Sequence, residues 1–261
     1  MKECQVCANI EIKPLFIKDG FPYQRCPKCG LIRIEPQPAN EQLDAIYNGK
    51  YYDNWGGEES VFINMKKKTF FKILEFLPNV KNENPKPALL DIGAATGILM
   101  EVACEKGYDV YGIEAAKDGA KIICEKFGQD KIVNGYFDES FGKWQEGSFD
   151  IIVMCDFFEH VKNPKEVLKK TYALLRQNGK LILHLPDAGS MARAILKKRW
   201  TNFIPEHLFS FSQSNIKIIL KNTGFSINMI KTEKKYLNVQ YAQNVLHYYA
   251  KFGGGGVVFG I

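Results

Sequence analysis

Four cysteines stand near the start of the chain as two C-x-x-C pairs, Cys4 with Cys7 and Cys26 with Cys29, separated by 18 residues. Thiolates at this spacing build the tetrahedral shell that structural Zn²⁺ prefers, and four protein ligands leave no open position for catalysis. Gly30 follows the second pair and would let the backbone turn back towards sulfur. A redox C-x-x-C needs only one pair, so a closed structural metal site is expected on Cys4, Cys7, Cys26 and Cys29.

A second constellation begins at "LLDIGAATG", where an apolar run meets Asp91 and becomes a turn carrying Gly93 and Gly97. A dinucleotide site wants G-x-G-x-x-G, its second glycine letting the backbone approach pyrophosphate. Here Ala95 interrupts that pattern, and the G-K-[ST] of a phosphate loop is missing. Asp91 would itself repel a pyrophosphate. Glu114 ends the next apolar run, "DVYGIEAA", 17 residues after Gly97. An acid at the tip of the second strand can accept hydrogen bonds from both ribose hydroxyls. A nucleoside with a ribose, no phosphate and an ammonium for an acid to hold describes S-adenosylmethionine. Its carboxylate could meet backbone N–H groups at the following helix.

Two histidines are candidates for proton transfer. His160, in "FFEHVKNP", lies just past the fourth apolar run, at the edge where ligands collect in such folds. His207, in "RWTNFIPEHLFSFS", lies in an aromatic-rich insertion before the next helix. Methyl transfer is displacement at an activated sulfonium, so alignment does much of the work and a base is needed only when the acceptor carries a proton.

Elements must position these residues, and hydropathy suggests which. Apolar runs at 88–92, 109–113, 149–154 and 180–185 alternate with helical stretches near 97–106, 117–127 and 164–176, the pattern of a parallel sheet covered on both faces. "ESVFINMKKKTFFKILEFL" reads as an amphipathic helix, and "PNVKNENPKP" as a boundary. "SQSNIKIILKNTGF" predicts a capped helix stopped at Gly224, with "FSINMI" a strand, residues 237–252 a helix and "VVFGI" a last strand. The organisation expected is a zinc-binding ribbon at 1–40, a helical linker or cap at 41–87 and a cofactor-binding domain at 88–261.

Composition agrees with a globular protein of 261 residues, 46% hydrophobic and 25% charged. A net charge of +6 without clustering makes nucleic acid an improbable partner. No stretch reaches the roughly 18 apolar residues of a membrane span, and the start lacks a secretory h-region. Seven cysteines, an odd number, suit a reduced, cytoplasmic protein better than a disulfide framework. Cys104, Cys124 and Cys155 are expected in the core, and the basic runs "MKKK" and "KKRW" on solvated helical faces.

Taken in order, "LLDIGAATG", "VYGIEAA" and "FDIIVMCDFFEHVKNPKEVLKKTYALLRQNGKLIL" resemble the successive motifs of class I S-adenosylmethionine-dependent methyltransferases, over roughly residues 88–230. The resemblance implies an α/β fold: a Rossmann-like, doubly wound, seven-stranded, mostly parallel sheet with the cofactor across its carboxyl edge. It implies that Asp91, Gly93 and Gly97 line the methionine end, Glu114 the ribose, Phe137 and Asp138 the adenine, and Asp156 the reacting centre. The cysteine segment, "LDAIYNGKYYDNW" and the Glu206-His207 stretch are further similar to zinc-containing sugar C-methyltransferases and surface-polysaccharide methyltransferases. Phenylalanine and isoleucine stand where the sugar enzymes carry a tyrosine, and their further C-terminal domain has no counterpart here. C-methylation of a keto sugar is therefore doubtful, whereas O-methylation of a glycan precursor or another small acceptor, such as a nucleotide-linked sugar, is left open. An RNA methyltransferase with a zinc module and a non-catalytic zinc- and cofactor-binding module are the alternatives.

Overall fold

The computed structural model describes residues 3–39, 41–43 and 60–232. The tyrosine-rich stretch at 44–59 and the expected final helix and strand at 237–261 lie outside these residues.

An antiparallel meander comes first: β1 (Lys13–Lys18), β2 (Phe21–Arg25) and β3 (Ile32–Ile34). The β1–β2 turn is two residues, Asp19 and Gly20, both with positive φ (52° and 82°). That is the turn whose twist matches a tight hairpin, and Asp-Gly is a preferred sequence for it.

The cofactor-binding region follows α1 (Ser60–Ile73). Its strands are β4 (Ala88–Ile92), β5 (Asp109–Glu114), β6 (Ile132–Asn134), β7 (Phe149–Cys155) and β8 (Leu175–His184). They form one parallel sheet in the order β6-β5-β4-β7-β8. Helices α2 (Ile98–Glu105), α3 (Lys117–Phe127), α4 (Phe137–Ser140) and α5 (Pro164–Leu174) connect them. Side chains alternate across the sheet, as a strand requires. Leu89, Ile151 and Val153 pack into one apolar layer with α2 and α3, while Leu90, Ile92, Ile152 and Met154 pack into the other with α5. Both faces are therefore covered, which explains the nearly continuous apolar runs.

The chain then forms α6 (Met191–Leu196), β9 (Phe209–Ser210) and α7 (Gln213–Asn222). Ser212 caps α7, accepting from Asn215 N–H while the Asn215 side chain accepts from Ser212 N–H. β9 pairs antiparallel with β3, so the amino-terminal sheet takes its fourth strand from beyond the parallel sheet.

Three expectations change. The parallel sheet has five strands among the described residues, not seven, and 225–232 form no strand. In the stretch "FSINMI", Ile227 and Met229 are exposed and find no neighbouring strand among the described residues. β6 is only three residues long, too short for hydropathy to single out. Cys104 is exposed, whereas Cys124 and Cys155 are partly buried and pack against the apolar core. "KKRW" ends α6 as a 3₁₀ turn at Lys197–Arg199.

Candidate active site and metal centre

The strand order reverses between β4 and β7, since β5 and β6 lie on one side and β8 on the other. Chains diverge there at the carboxyl edge and leave a crevice, where open parallel sheets bind ligands. The Gly93–Gly97 turn and the segment Asp156–His160 form the two lips of that crevice.

The turn is held by the neighbouring strand: Gly93 and Ala94 N–H both donate to Ile113 C=O, at 2.9 and 3.0 Å. Gly93, Ala95 and Gly97 have φ of 81°, 52° and 79°. Ala95 thus adopts the left-handed conformation despite its methyl group, and the departure from glycine is accommodated. Gly93 cannot be replaced so easily, because a Cβ there would lie 2.7 Å from the Phe157 ring across the crevice. Gly119 is equally constrained, since its Cβ would meet Ala95 C=O at 2.3 Å. The first turn of α3 thus touches the glycine turn, a requirement not visible in spacing.

Glu114 stands at the tip of β5, 8% exposed. Its two carboxylate oxygens accept Ala95 N–H and Ala116 N–H, both at 2.7 Å. It therefore clasps the glycine turn to the start of α3. A carboxylate oxygen has two lone pairs, so one that accepts a backbone N–H can in principle accept a hydroxyl as well. Asp91 is 2% exposed on β4, and burial, with a smaller push from the Glu114 charge, raises its carboxyl to about 8. A buried acid of this kind ionises readily only when a cation arrives, which suits the ammonium of a methionine moiety. The residues present therefore fit S-adenosylmethionine.

Phe137 and Asp138 do not sit together. Phe137 is 3% exposed within the core, and Asp138 pairs with Lys170 of α5 at 2.8 Å. The ring that stands exposed just past β6 is Tyr136, 51% exposed, which sequence reasoning missed. Asp156 lies on the opposite lip with φ 50°. Its N–H donates to His184 C=O at 2.8 Å, and its carboxylate is 3.4 Å from His184 Nδ1.

His160 and His207 do come together, with ring centroids 4.7 Å apart and planes nearly perpendicular. His207 Nδ1 lies 2.8 Å from Asn202 C=O. A carbonyl can only accept, so Nδ1 carries a proton and donates it to Asn202 C=O. Nε2 is 4.0 Å from the carboxylate of Glu159, a residue only 2% exposed. Donor atoms of Glu159, His160 and His207 all lie within 4.8 Å of one another. Glu159 stands beside His160 in "FFEHVKNP", but its place in this cluster is not visible from spacing. Glu206, the expected neighbour of His207, is 1% exposed and its carboxyl oxygens have no hydrogen-bond partner among the described residues. Burial raises its carboxyl above the ordinary range. Asn202, not Glu206, orients the imidazole.

The four expected cysteines also converge. Cys4 Sγ lies 3.5 Å from Cys29 Sγ, and Cys7 Sγ 3.6 Å from Cys26 Sγ, with no disulfide formed. Four thiolates about 2.3 Å from a tetrahedral Zn²⁺ stand roughly 3.8 Å apart, so the cluster fits such an ion. The two turns are alike. Ala8 N–H donates to Cys4 C=O and Gly30 N–H to Cys26 C=O, at 2.9 and 2.8 Å, and both residues have positive φ. The Cys29 thiol lowers Cys4 to about 5 by hydrogen bonding, and Cys29 is raised in turn.

Comparison with known proteins bears directly on the crevice. Residues 63–228 match the family described as "Methyltransferase domain". The chain belongs to that family. It is 28% identical over 166 residues to the ubiquinone biosynthesis O-methyltransferase of Pelagibacter ubique, covering 58% of this chain and 69% of that one. To the mitochondrial ubiquinone biosynthesis O-methyltransferase of Schizosaccharomyces pombe it is 27% identical over 125 residues, 46% of this chain and 43% of that protein. The chain thus spans less than half the length of that relative. In fold it is similar to magnesium protoporphyrin IX methyltransferase from Synechocystis PCC 6803, solved with bound S-adenosylhomocysteine, at TM-score 0.56 and 18% identity over 76% of this chain and 95% of that one. This methyltransferase-family domain therefore has the Rossmann-like architecture and cofactor type expected for S-adenosylmethionine-dependent transfer. Among the described residues no helix is long and apolar enough to cross a membrane.

Proposed function

We propose that the protein methylates a hydroxyl oxygen of a small-molecule acceptor, with His207 taking the proton. The observation that carries this is the His207 imidazole, oriented through Nδ1 by Asn202 C=O and set 4.7 Å from the ring of His160, a residue of the crevice lip. When bound, S-adenosylmethionine supplies a methyl group on a positively charged sulfur, which becomes a neutral thioether as the S–C bond breaks and the new O–C bond forms. Asp91 holds the ammonium, Gly93 and Gly97 let backbone approach the methionine end, and Glu114 accepts the ribose hydroxyls. Tyr136 offers a face for the adenine, with Phe137 and Asp138 next to it in sequence. Asp156 lines the reacting centre. The acceptor O–H proton passes to His207 Nε2, and the Glu159 carboxylate stabilises the imidazolium. His160 packs edge-on against that ring and fixes its plane.

An oxygen acceptor is favoured by the O-methyltransferase names of the relatives. Sugars and glycan precursors come first in a screen because of the cysteine segment, which we assign to a closed structural Zn²⁺ site in a reduced cytoplasmic protein. The three-donor cluster Glu159, His160 and His207 supports a second reading, in which a divalent cation there lowers the pKa of the acceptor hydroxyl.

The test is transfer of radiolabelled methyl from S-adenosylmethionine to an acceptor panel, with His207→Gln beside the intact protein. Proton transfer contributes typically 10²–10⁴-fold. The variant should lose about that much in kcat while S-adenosylhomocysteine still binds. Undiminished turnover by His207→Gln rejects the base. Activity abolished by a chelator that leaves the cysteine-bound zinc in place, and restored by added Mg²⁺ or Mn²⁺, favours the cation instead. Failure of the intact protein to bind S-adenosylhomocysteine rejects methyl transfer altogether and leaves a non-catalytic module.

A further inference from the structure

A cavity of about 270 Å³ lies where the second cysteine turn meets the loop after β8 and the start of α7. Arg25 and Gly30 line one wall, Ser190 and Arg193 the second, and Ser212 and Ser214 the third. Nothing in the mechanism above uses it.

Its chemistry is one-sided. No acidic residue lines it, and neither arginine forms an ion pair with any described residue. The nearest carboxylate in sequence, Asp187, is turned onto Gly189 N–H at 2.7 Å and faces Gln213 at 3.4 Å. Arg25 folds over Gly30, its guanidinium 3.5 Å from where a side chain at that position would begin. Arg193 Nε is buried without a hydrogen-bond partner among the described residues. A buried donor left without an acceptor is costly, and more so when it is charged. Burial and the facing Arg25 also hold the Arg193 guanidinium below its ordinary range. Two like charges brought together across a cavity await an anion.

The third wall adds fixed donors. Ser212 caps the ten-residue helix α7, and its hydroxyl lies 2.8 Å from that of Ser214. A helix start presents unpaired N–H groups and positive dipole charge to an anion. At about 30 Å³ per water, the cavity has room for a phosphate or diphosphate group. Ala188, on its lining, is four residues past His184, which pairs with Cys155 at the carboxyl end of β7.

We propose that Arg25 and Arg193 bind the phosphate or diphosphate group of an anionic acceptor, so that the cysteine ribbon supplies half of a substrate-anchoring site. The binding of the anion stands on the cavity alone; its assignment to the acceptor rests on the methyltransferase reading.

Calorimetric titration of zinc-replete, full-length protein with inorganic pyrophosphate tests it, with inorganic phosphate and sulfate as separate arms. Arg193→Gln and Arg25→Gln are run beside it, each checked for zinc content and for S-adenosylhomocysteine binding. Pyrophosphate should bind at submillimolar concentration, more tightly than phosphate or sulfate, and each substitution should weaken it at least tenfold while the nucleoside affinity holds. Arg193 is remote from the cysteines in sequence, so its variant remains informative if Arg25→Gln disturbs metal loading. No pyrophosphate binding by the intact protein, or equal binding by Arg193→Gln, overturns the site. Pyrophosphate bound no better than sulfate rejects a phosphate-specific anchor. If pyrophosphate binds while S-adenosylhomocysteine does not, the cavity stands and the methyltransferase reading fails.

Discussion

The cysteine turns and the glycine turn after β4 meet the same geometric demand in different ways. Each bends the backbone through left-handed residues beside a ligand: Ala8 and Gly30 in one region, Gly93, Ala95 and Gly97 in the other. Around the glycine turn, Leu89, Leu90 and Ile92 are each fully buried, and Ile113 C=O receives two N–H groups. The sheet thus fixes that turn before any cofactor binds. Around the cysteines β1 is largely exposed, with Ile10 and Ile17 more than 70% exposed, while Val6 and Leu31 are buried against Leu208 and Phe209, and Ile34 against Trp200 and Phe203. One turn is fixed by its own sheet. The cysteine turns borrow their apolar cover from a later part of the chain, and a metal is expected to complete them.

Metal removal should separate them most strongly. Zinc binding in small modules is worth about 10–16 kcal/mol, comparable with a whole domain's stability. Cys26→Ser should abolish zinc content and unfold the ribbon, read as new hydrogen exchange at residues 21–34 with the β4–β5 amides still protected. Global protection of the ribbon after zinc loss would overturn the contrast. Gly119→Ala tests the other side: a methyl 2.3 Å from Ala95 C=O forces backbone to move, and overpacking costs about 1–3 kcal/mol. The melting temperature should fall and S-adenosylhomocysteine affinity with it, at unchanged zinc content.

Glu114→Ala removes a carboxylate that holds two N–H groups and is proposed to hold ribose. Hydrogen bonds to charged groups are worth about 1.5–3 kcal/mol, so cofactor affinity should drop roughly ten- to a hundredfold by calorimetry. Asp91 gives a subtler, pH-dependent effect. Its folded carboxyl is raised to about 8 from an ordinary 3.8, so the folded protein binds the extra proton between those values. Its contribution to stability is fully present below pH 3.8 and is lost as pH rises through about 8. Asp91→Asn should flatten that slope in the ligand-free protein. Cofactor binding near pH 7 should release a proton, seen as a buffer-dependent enthalpy that the same variant abolishes. Lys170→Ala should do least. Its ion pair with Asp138 is partly solvated, worth below about 1 kcal/mol, and a large loss of cofactor affinity would show that Asp138 acts at the adenine after all.

Much of this was legible from residue order because spacing reports local geometry. The cysteine quartet, Asp91, Glu114 and the turn glycines follow from fixed offsets within one or two elements. Glu159 with His207 was not legible, since Asn202 and Glu159 meet the imidazole through a fold that spacing does not encode. The same holds for Arg25 and Arg193, which are 168 residues apart and face one cavity. Short β6 and the failed strand at 225–230 show the other weakness. Alternation is local, but pairing needs a neighbour.

β9 carries one more consequence. Its pairing, Ile32 with Ser210 and Arg33 with Phe209, joins the first sheet to a dipeptide about 175 residues later. At ribosomal speeds of about 5–20 residues per second, the early strands wait roughly ten to thirty-five seconds for that edge to be covered. During that interval, β3 presents an open row of N–H and C=O groups, a template for pairing with another chain. Early capture of zinc by the cysteines would hold the nascent meander in register through the delay, making metal supply during translation a determinant of yield as well as of final stability.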